Sequence, residues 1–181
     1  MWQNMYQQMI EEKLVQKFIQ GIPSFDEMMD MIKCDHETET TTIFPHRIFI
    51  FDDLMMDISE LKDNTLSKMA TVLGHHCNVT IILLSQMLFM PNDKEFNIFA
   101  ENTHYVMILK SPRNMSKIIY IARQTSPYNI QYIVDAYKAA TRPPYGYLWF
   151  DFVQSTEDNL RVMTNFLPDE LPVRVFSPIA N

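Results

Sequence analysis

The order of apolar and polar positions divides the 181-residue chain into stretches of helical period and strand-like runs. Residues 3–20 place Tyr6, Met9, Ile10, Leu14 and Phe18 on one side of a helix, with Gly21 just past its end. Ser24-Phe25-Asp26-Glu27 is a capping box. Phe25, Met28, Met29 and Ile32 then fall at i, i+3, i+4 and i+7, which predicts a second helix. The polar run Asp35–Thr42 reads as a surface loop. It leads into Arg47–Leu54, Arg-Ile-Phe-Ile-Phe-Asp-Asp-Leu, whose four consecutive apolar residues predict a buried parallel strand.

Beyond that strand, Met55–Asn64 is acidic and loop-like. Leu66, Met69, Ala70 and Leu73 return to helical spacing, with Gly74 as the stop. Val79–Leu84 predicts a second buried strand ending in Ser85-Gln86. A short amphipathic segment around Phe96–Ala100 precedes a third strand at Tyr105–Leu109. About 20 residues containing a helix separate successive strands, long enough for parallel crossovers. Ser111-Pro112 offers an N-cap and a first-turn proline to a helix that buries Met115, Ile118, Ile119 and Ala122. Ile130, Ile133, Val134 and Tyr137 mark another, stopped before Pro143-Pro144, and Tyr147–Phe152 predicts a fourth strand. Thr164–Asn181 carries Pro168, Pro172 and Pro178 and reads as irregular, so one domain over 1–167 with a tail at 168–181 is expected.

Composition narrows the classes. No apolar run approaches the ~20 residues that span a bilayer, and Met1–Ile10 is too polar for a signal peptide. An intracellular protein, in cytoplasm or nucleus and without a membrane partner, is expected. The net charge of −7 argues against a protein that coats nucleic acid with its whole surface. Within 105–142, however, Lys110, Arg113, Lys117, Arg123, Lys138 and Arg142 face only Asp135. Such a basic stretch suits phosphate contact at one place, and equally a solvated surface. Cys34 and Cys77 have no metal-ligand spacing and read as buried thiols. His75 and His76 lack a third ligand and read as structural. With only Gly21, Gly74 and Gly146, the 181 residues contain no Gly-x-x-x-x-Gly-Lys-Ser/Thr and no Gly-x-Gly-x-x-Gly.

The chemistry concentrates at two strand ends. In an open α/β sheet, ligands gather outside the carboxyl ends of the strands. Asp52 and Asp53, placed there, can hold a hydrated Mg²⁺ and polarise a water beside a phosphate, as a Walker B segment does. The same pair also fits an acidic turn whose side chains bond nearby backbone. Gln86, at the tip of the next strand, has an amide that both donates and accepts, which suits a γ-phosphate or an attacking water. It equally fits a residue that merely ends a strand.

Five blocks in order carry a resemblance: Ile-Phe-Ile-Phe-Asp-Asp-Leu-Met, Gly-His-His-Cys-Asn-Val-Thr-Ile-Ile-Leu-Leu-Ser-Gln-Met-Leu-Phe, Tyr-Val-Met-Ile-Leu-Lys-Ser-Pro-Arg-Asn, Ile-Ala-Arg-Gln and Pro-Tyr-Gly-Tyr-Leu. From about Trp2 to about Leu167 the chain resembles the genome-packaging ATPases of the FtsK/HerA superfamily, notably those of Polinton/Maverick elements and related DNA viruses. The resemblance implies an α/β, three-layer P-loop NTPase-like fold of RecA/ASCE type, with a mostly parallel sheet flanked by helices. The family's phosphate loop and first core strand lie ahead of its Trp-Gln block, matched here by Trp2-Gln3-Asn4-Met5-Tyr6, and are absent from this sequence. It further implies Mg²⁺ and ATP as cofactors, a homo-oligomeric ring, double-stranded DNA driven into a capsid, and contact with capsid proteins.

By position, Asp52 resembles the Mg²⁺-coordinating acid and Gln86 the γ-phosphate sensor. Asp53 takes the place of the water-activating carboxylate, where many relatives outside this branch have Glu. Arg113, or alternatively Arg123, resembles a residue acting in trans on a neighbour's nucleotide, and each also fits an ordinary helix surface. Without its phosphate loop the chain alone is not expected to turn over ATP. The alternative is a catalytically inactive, ATPase-derived DNA- or protein-binding module. An unrelated small α/β enzyme ranks last, because Ser85 lacks a Gly-x-Ser-x-Gly elbow and Cys77 lies too close to His76 in sequence to imply a dyad.

Overall fold

A computed structural model describes residues 2–33, 46–53, 64–87, 93–113, 115–170 and 172–178. The expected loops Asp35–Thr42 and 55–63, with Cys34 and Leu54, lie outside these residues. The fold is mixed α/β, and the chain divides into two compact units, 1–102 and 103–181.

The first unit holds α1 (Trp2–Glu11), α2 (Phe25–Lys33), β1 (Arg47–Asp52), α3, β2 (Val79–Leu84) and α4 (Lys94–Glu101). Helix α3 opens as an α-turn over Thr65–Lys68, widens to a π-helix over Met69–Leu73 and closes over Gly74–His76. Strands β1 and β2 pair in parallel from Arg47↔Val79 to Asp52↔Leu84, as the crossover spacing predicts. One face of this ribbon, with Phe51 and Val79, joins the core built by Met28 and Ile32 of α2, Leu66, Met69 and Leu73 of α3, and Phe96 of α4. The opposite face, with Ile48, Ile50, Ile82 and Leu84, is exposed.

Helix ends in this unit depart from the expected bounds for identifiable reasons. The helix expected over 3–20 stops at Glu11 because Lys13 adopts φ 57°. Lys13 N–H then donates to the Ile10 carbonyl and Leu14 N–H to the Met9 carbonyl, a Schellman closure without glycine. Leu14 and Phe18 are consequently exposed. Gly74 is no stop either. Its φ of −66° is helical and its N–H reaches back to the Met69 carbonyl, the five-residue step of the π-turn. The capping box of α2 forms as expected: Ser24 N–H and Oγ both donate to Glu27 Oε2 (2.8 and 2.9 Å), and Glu27 N–H returns to Ser24 Oγ (3.3 Å).

The second unit holds β3 (Tyr105–Leu109), α5 (Met115–Thr125), α6 (Ile130–Ala140), β4 (Tyr147–Asp151), a 3-10 turn at Asp158–Leu160, β5 (Val162–Thr164) and β6 (Arg174–Phe176). Its sheet runs β3-β4-β5-β6, antiparallel throughout. This corrects the expectation of one mostly parallel sheet. Between β3 and β4 there are two helices packed on each other, which bring the chain back for antiparallel entry. Strand β6 lies in the stretch read as irregular. Ile118, Ile121 and Ala122 of α5 and Ile133, Val134, Tyr137 and Ala140 of α6 are buried, as are Tyr147, Leu148 and Phe150 of β4. The helix expected to be capped at Ser111-Pro112 runs over Met115–Thr125, and Ser111 N–H donates to the Tyr137 hydroxyl (2.7 Å).

Candidate functional site

Parallel pairing of β1 with β2 puts Asp52 opposite Leu84, so both strands end at one level. The ladder continues one step further, with Asp53 N–H donating to the Leu84 carbonyl (3.4 Å). At Asp53 the chain turns. Its φ of 54° is left-handed, a conformation that Asp tolerates better than most residues because its short side chain bonds locally. On the β2 side, Met87 N–H donates to Ser85 Oγ (3.0 Å) and Ser85 Oγ donates to the Met87 carbonyl (2.7 Å). This tight local turn spends the Ser85 hydroxyl on backbone and presents Gln86 beside the tip of β1. Gln86 Nε2 donates to Asp53 Oδ1 at 3.1 Å.

Asp52, half-buried, faces a different partner. The Tyr6 hydroxyl of α1 donates to Asp52 Oδ2, and the Tyr6 ring sits 5.0 Å from that of Phe18. The Tyr6 phenol is held above its ordinary pKa, first by the hydrogen bond to Asp52, then by burial and by the charges of Asp52 and Asp53. The sequence reading counted Tyr6 only as part of an apolar helix face.

The structure thus brings together Tyr6, Asp52, Asp53 and Gln86 in the first unit. Arg113 and Arg123 belong to the second: Arg113 lies in an exposed turn before α5 and Arg123 is exposed in its last turn. His75 and His76 are exposed at the end of α3, and Cys77 is half-buried. Among the described residues no cluster of three or more His, Cys, Asp or Glu side chains offers a metal cage. Two carboxylates at one strand tip, one engaged by a phenol and the other by an amide, make an acidic site with proton donors at its border. A scan against protein-family models and searches of curated proteins and of solved structures found no match to this chain.

Proposed function

We propose that the chain carries the acid-bearing and sensor strands of a P-loop ATPase that couples ATP hydrolysis to moving double-stranded DNA in genome packaging. The observation that carries the reading is the 3.1 Å hydrogen bond from Gln86 to Asp53 across the ends of two adjacent parallel strands. In this reading the linked acid and amide would face a nucleotide γ-phosphate and its attacking water. In this reading β1 and β2 are neighbouring strands of a larger, three-layer sheet. The exposed Ile48, Ile50, Ile82 and Leu84 support it, because parallel sheets are ordinarily covered on both faces.

The donor set suits Mg²⁺, which binds through one or two carboxylates and completes its shell with water and substrate phosphate oxygens. Asp52 would hold the ion, and when bound it would offset charge on the phosphates. Asp53 accepts the proton of the attacking water, and Gln86 keeps that carboxylate aimed. Arg113 acts on the nucleotide of an adjacent subunit in a homo-oligomeric ring. The alternative reading is a catalytically inactive, ATPase-derived DNA- or protein-binding module.

ATP turnover by the chain extended upstream through a Gly-x-x-x-x-Gly-Lys-Ser/Thr loop separates the two. The first reading expects hydrolysis that falls about 10²–10⁴-fold in Asp53→Asn, the usual contribution of a general base. Equal turnover in Asp53→Asn removes the assigned base, and no turnover with the loop present leaves the binding module.

A further inference from the structure

The second unit contains a cavity of about 280 Å³ that the ATPase reading does not use. Lys110, Lys138 and Arg142 stand around it, and Pro112, Met115 and Tyr137 supply apolar wall. All three cations are exposed, and among the described residues none has a side-chain hydrogen bond or ion pair. Asp135, the only acid between 105 and 142, is engaged by Gln131 Nε2 at 2.8 Å. Like charges gathered round one concavity repel each other and raise the local concentration of anions.

A helix-end role explains only part of the cluster. Lys138 and Arg142 sit at the C-terminal end of α6, where cations complement the helix dipole by a few tenths of a kcal/mol up to about 1. Lys110 comes from the end of β3 and has no such reason to be there. Its position is fixed from both sides: the Tyr137 hydroxyl accepts from Ser111 N–H (2.7 Å) and donates to the Leu109 carbonyl (3.3 Å). Tyr137 is 3% exposed, so the backbone that carries Lys110 is pinned to the buried face of α6. The Thr141 hydroxyl, spent on the Tyr137 carbonyl (2.7 Å), holds the helix end in the same way.

From this we infer that the cavity binds a phosphate ester of about one nucleotide unit, its phosphate among Lys110, Lys138 and Arg142 and its sugar or base against Pro112, Met115 and Tyr137. The volume lies at the lower edge of the ~300–1,000 Å³ of small-molecule sites, too small for a dinucleotide. The assignment stands apart from the ATPase reading, since it uses no residue of the Asp53–Gln86 site. The phosphate has two possible sources, the backbone of a single strand or a free nucleotide.

The test uses the full 181-residue chain, a fluorescein-labelled oligothymidylate of about 15 nucleotides, and AMP. The oligonucleotide is followed by anisotropy across a salt series, and AMP by the NMR shift of the Met115 methyl. The combined Lys110→Gln, Lys138→Gln, Arg142→Gln variant is expected to lose at least ~10-fold in affinity for the oligonucleotide. Its salt slope should fall by about 0.7, the value for one phosphate contact on a single strand. Arg174→Gln, an exposed cation on β6, should change affinity less than ~2-fold.

Oligonucleotide binding that AMP does not displace, with no Met115 shift, assigns a strand phosphate. A Met115 shift with AMP that the triple variant abolishes assigns a free nucleotide. Tyr137→Phe should weaken either ligand while all three charges remain. Absence of binding by both probes overturns the inference, as does unchanged affinity and slope in the triple variant or an equal loss in Arg174→Gln.

Discussion

Gly146→Ala is the sharpest single test of the second unit. Gly146 follows Tyr145 and begins the return of the chain from α6 into β4, with its N–H donating to the Pro143 carbonyl (3.2 Å). Its φ is not positive, so conformational freedom is not why glycine stands there. Space is. A Cβ at this position would lie 2.3 Å from the Ala140 carbonyl oxygen and 3.1 Å from both the Pro143 carbonyl oxygen and the Thr141 Cα. The first contact is about 1 Å inside the 3.4 Å at which ordinary contact begins, and all three neighbours are backbone. Relief requires moving the end of α6, where Thr141 is buried and hydrogen-bonded. Overpacking of this kind typically costs 1–3 kcal/mol, and with no flexible atom to yield we expect about 3.

For a unit of this size each kcal/mol lowers Tm by about 4–8 °C, so a fall of roughly 12–24 °C is expected. Hydrogen exchange at the β3 and β4 amides reports on this unit, with thermal unfolding followed by near-ultraviolet circular dichroism. Gly21→Ala is the internal contrast. Gly21 has φ 77° and nothing within 4 Å of a built Cβ, so only the left-handed penalty of about 1–2 kcal/mol applies. A Tm for Gly146→Ala within ~2 °C of the parent, or a larger loss in Gly21→Ala, would refute the steric account.

The Tyr132 phenol is pushed up to about 12 by burial, and its hydroxyl donates to the Phe176 carbonyl of β6 (2.6 Å). Below pH 10 it is neutral in both folded and unfolded chains. Between pH 10 and 12 the unfolded chain ionises first, so stability is full below pH 10 and declines through this window by roughly 1 kcal/mol after allowance for solvent screening. Tyr132→Phe should abolish the late phenol transition in an absorbance titration and speed amide exchange at 174–176; an unchanged titration removes the assignment. Ser24→Ala should cost about 1 kcal/mol by opening the N-terminus of α2, visible as faster exchange of the α2 amides. The Glu27 carboxyl is held below its ordinary range, chiefly by the Ser24 N–H. The box therefore persists at neutral pH and is lost as pH falls through that lowered value. Helix protection in Ser24→Ala equal to the parent would count against it.

Strands were the part of this fold most readable from sequence. Val79–Leu84 and Tyr105–Leu109 occupy the predicted bounds because each is a predominantly apolar run bordered by polar or turn residues. The capping box of α2 was readable for the same local reason: both partners lie within four residues. What the sequence hid was set at a distance. The stop of α1 before Lys13 and the π-turn before Gly74 depend on backbone geometry, and Ser111 is tied to a hydroxyl 26 residues away. Sheet membership was hidden too, since the direction in which β4 enters follows the packed α5–α6 pair before it rather than the strand's own letters. At the site, Asp52, Asp53 and Gln86 were readable as strand tips, whereas Tyr6 required the fold to bring α1 onto β1.

The backbone at Asp53 also decides how its chemistry can be probed. Adjacent residues on a continuing strand point to opposite faces, so Asp52 and Asp53 can flank one ligand only if the strand ends between them. The positive φ at Asp53 and the final ladder bond to Leu84 place the end of the strand there. Replacing Asp53 by Ala or Val would then combine loss of the carboxylate with about 1–2 kcal/mol of left-handed strain, and a fall in activity could not be divided between the two. Asn accepts the left-handed region nearly as well as Asp, and its side-chain carbonyl can still accept the Gln86 amide. Asp53→Asn therefore isolates the charge, and its effect on nucleotide turnover measures the acid rather than the turn.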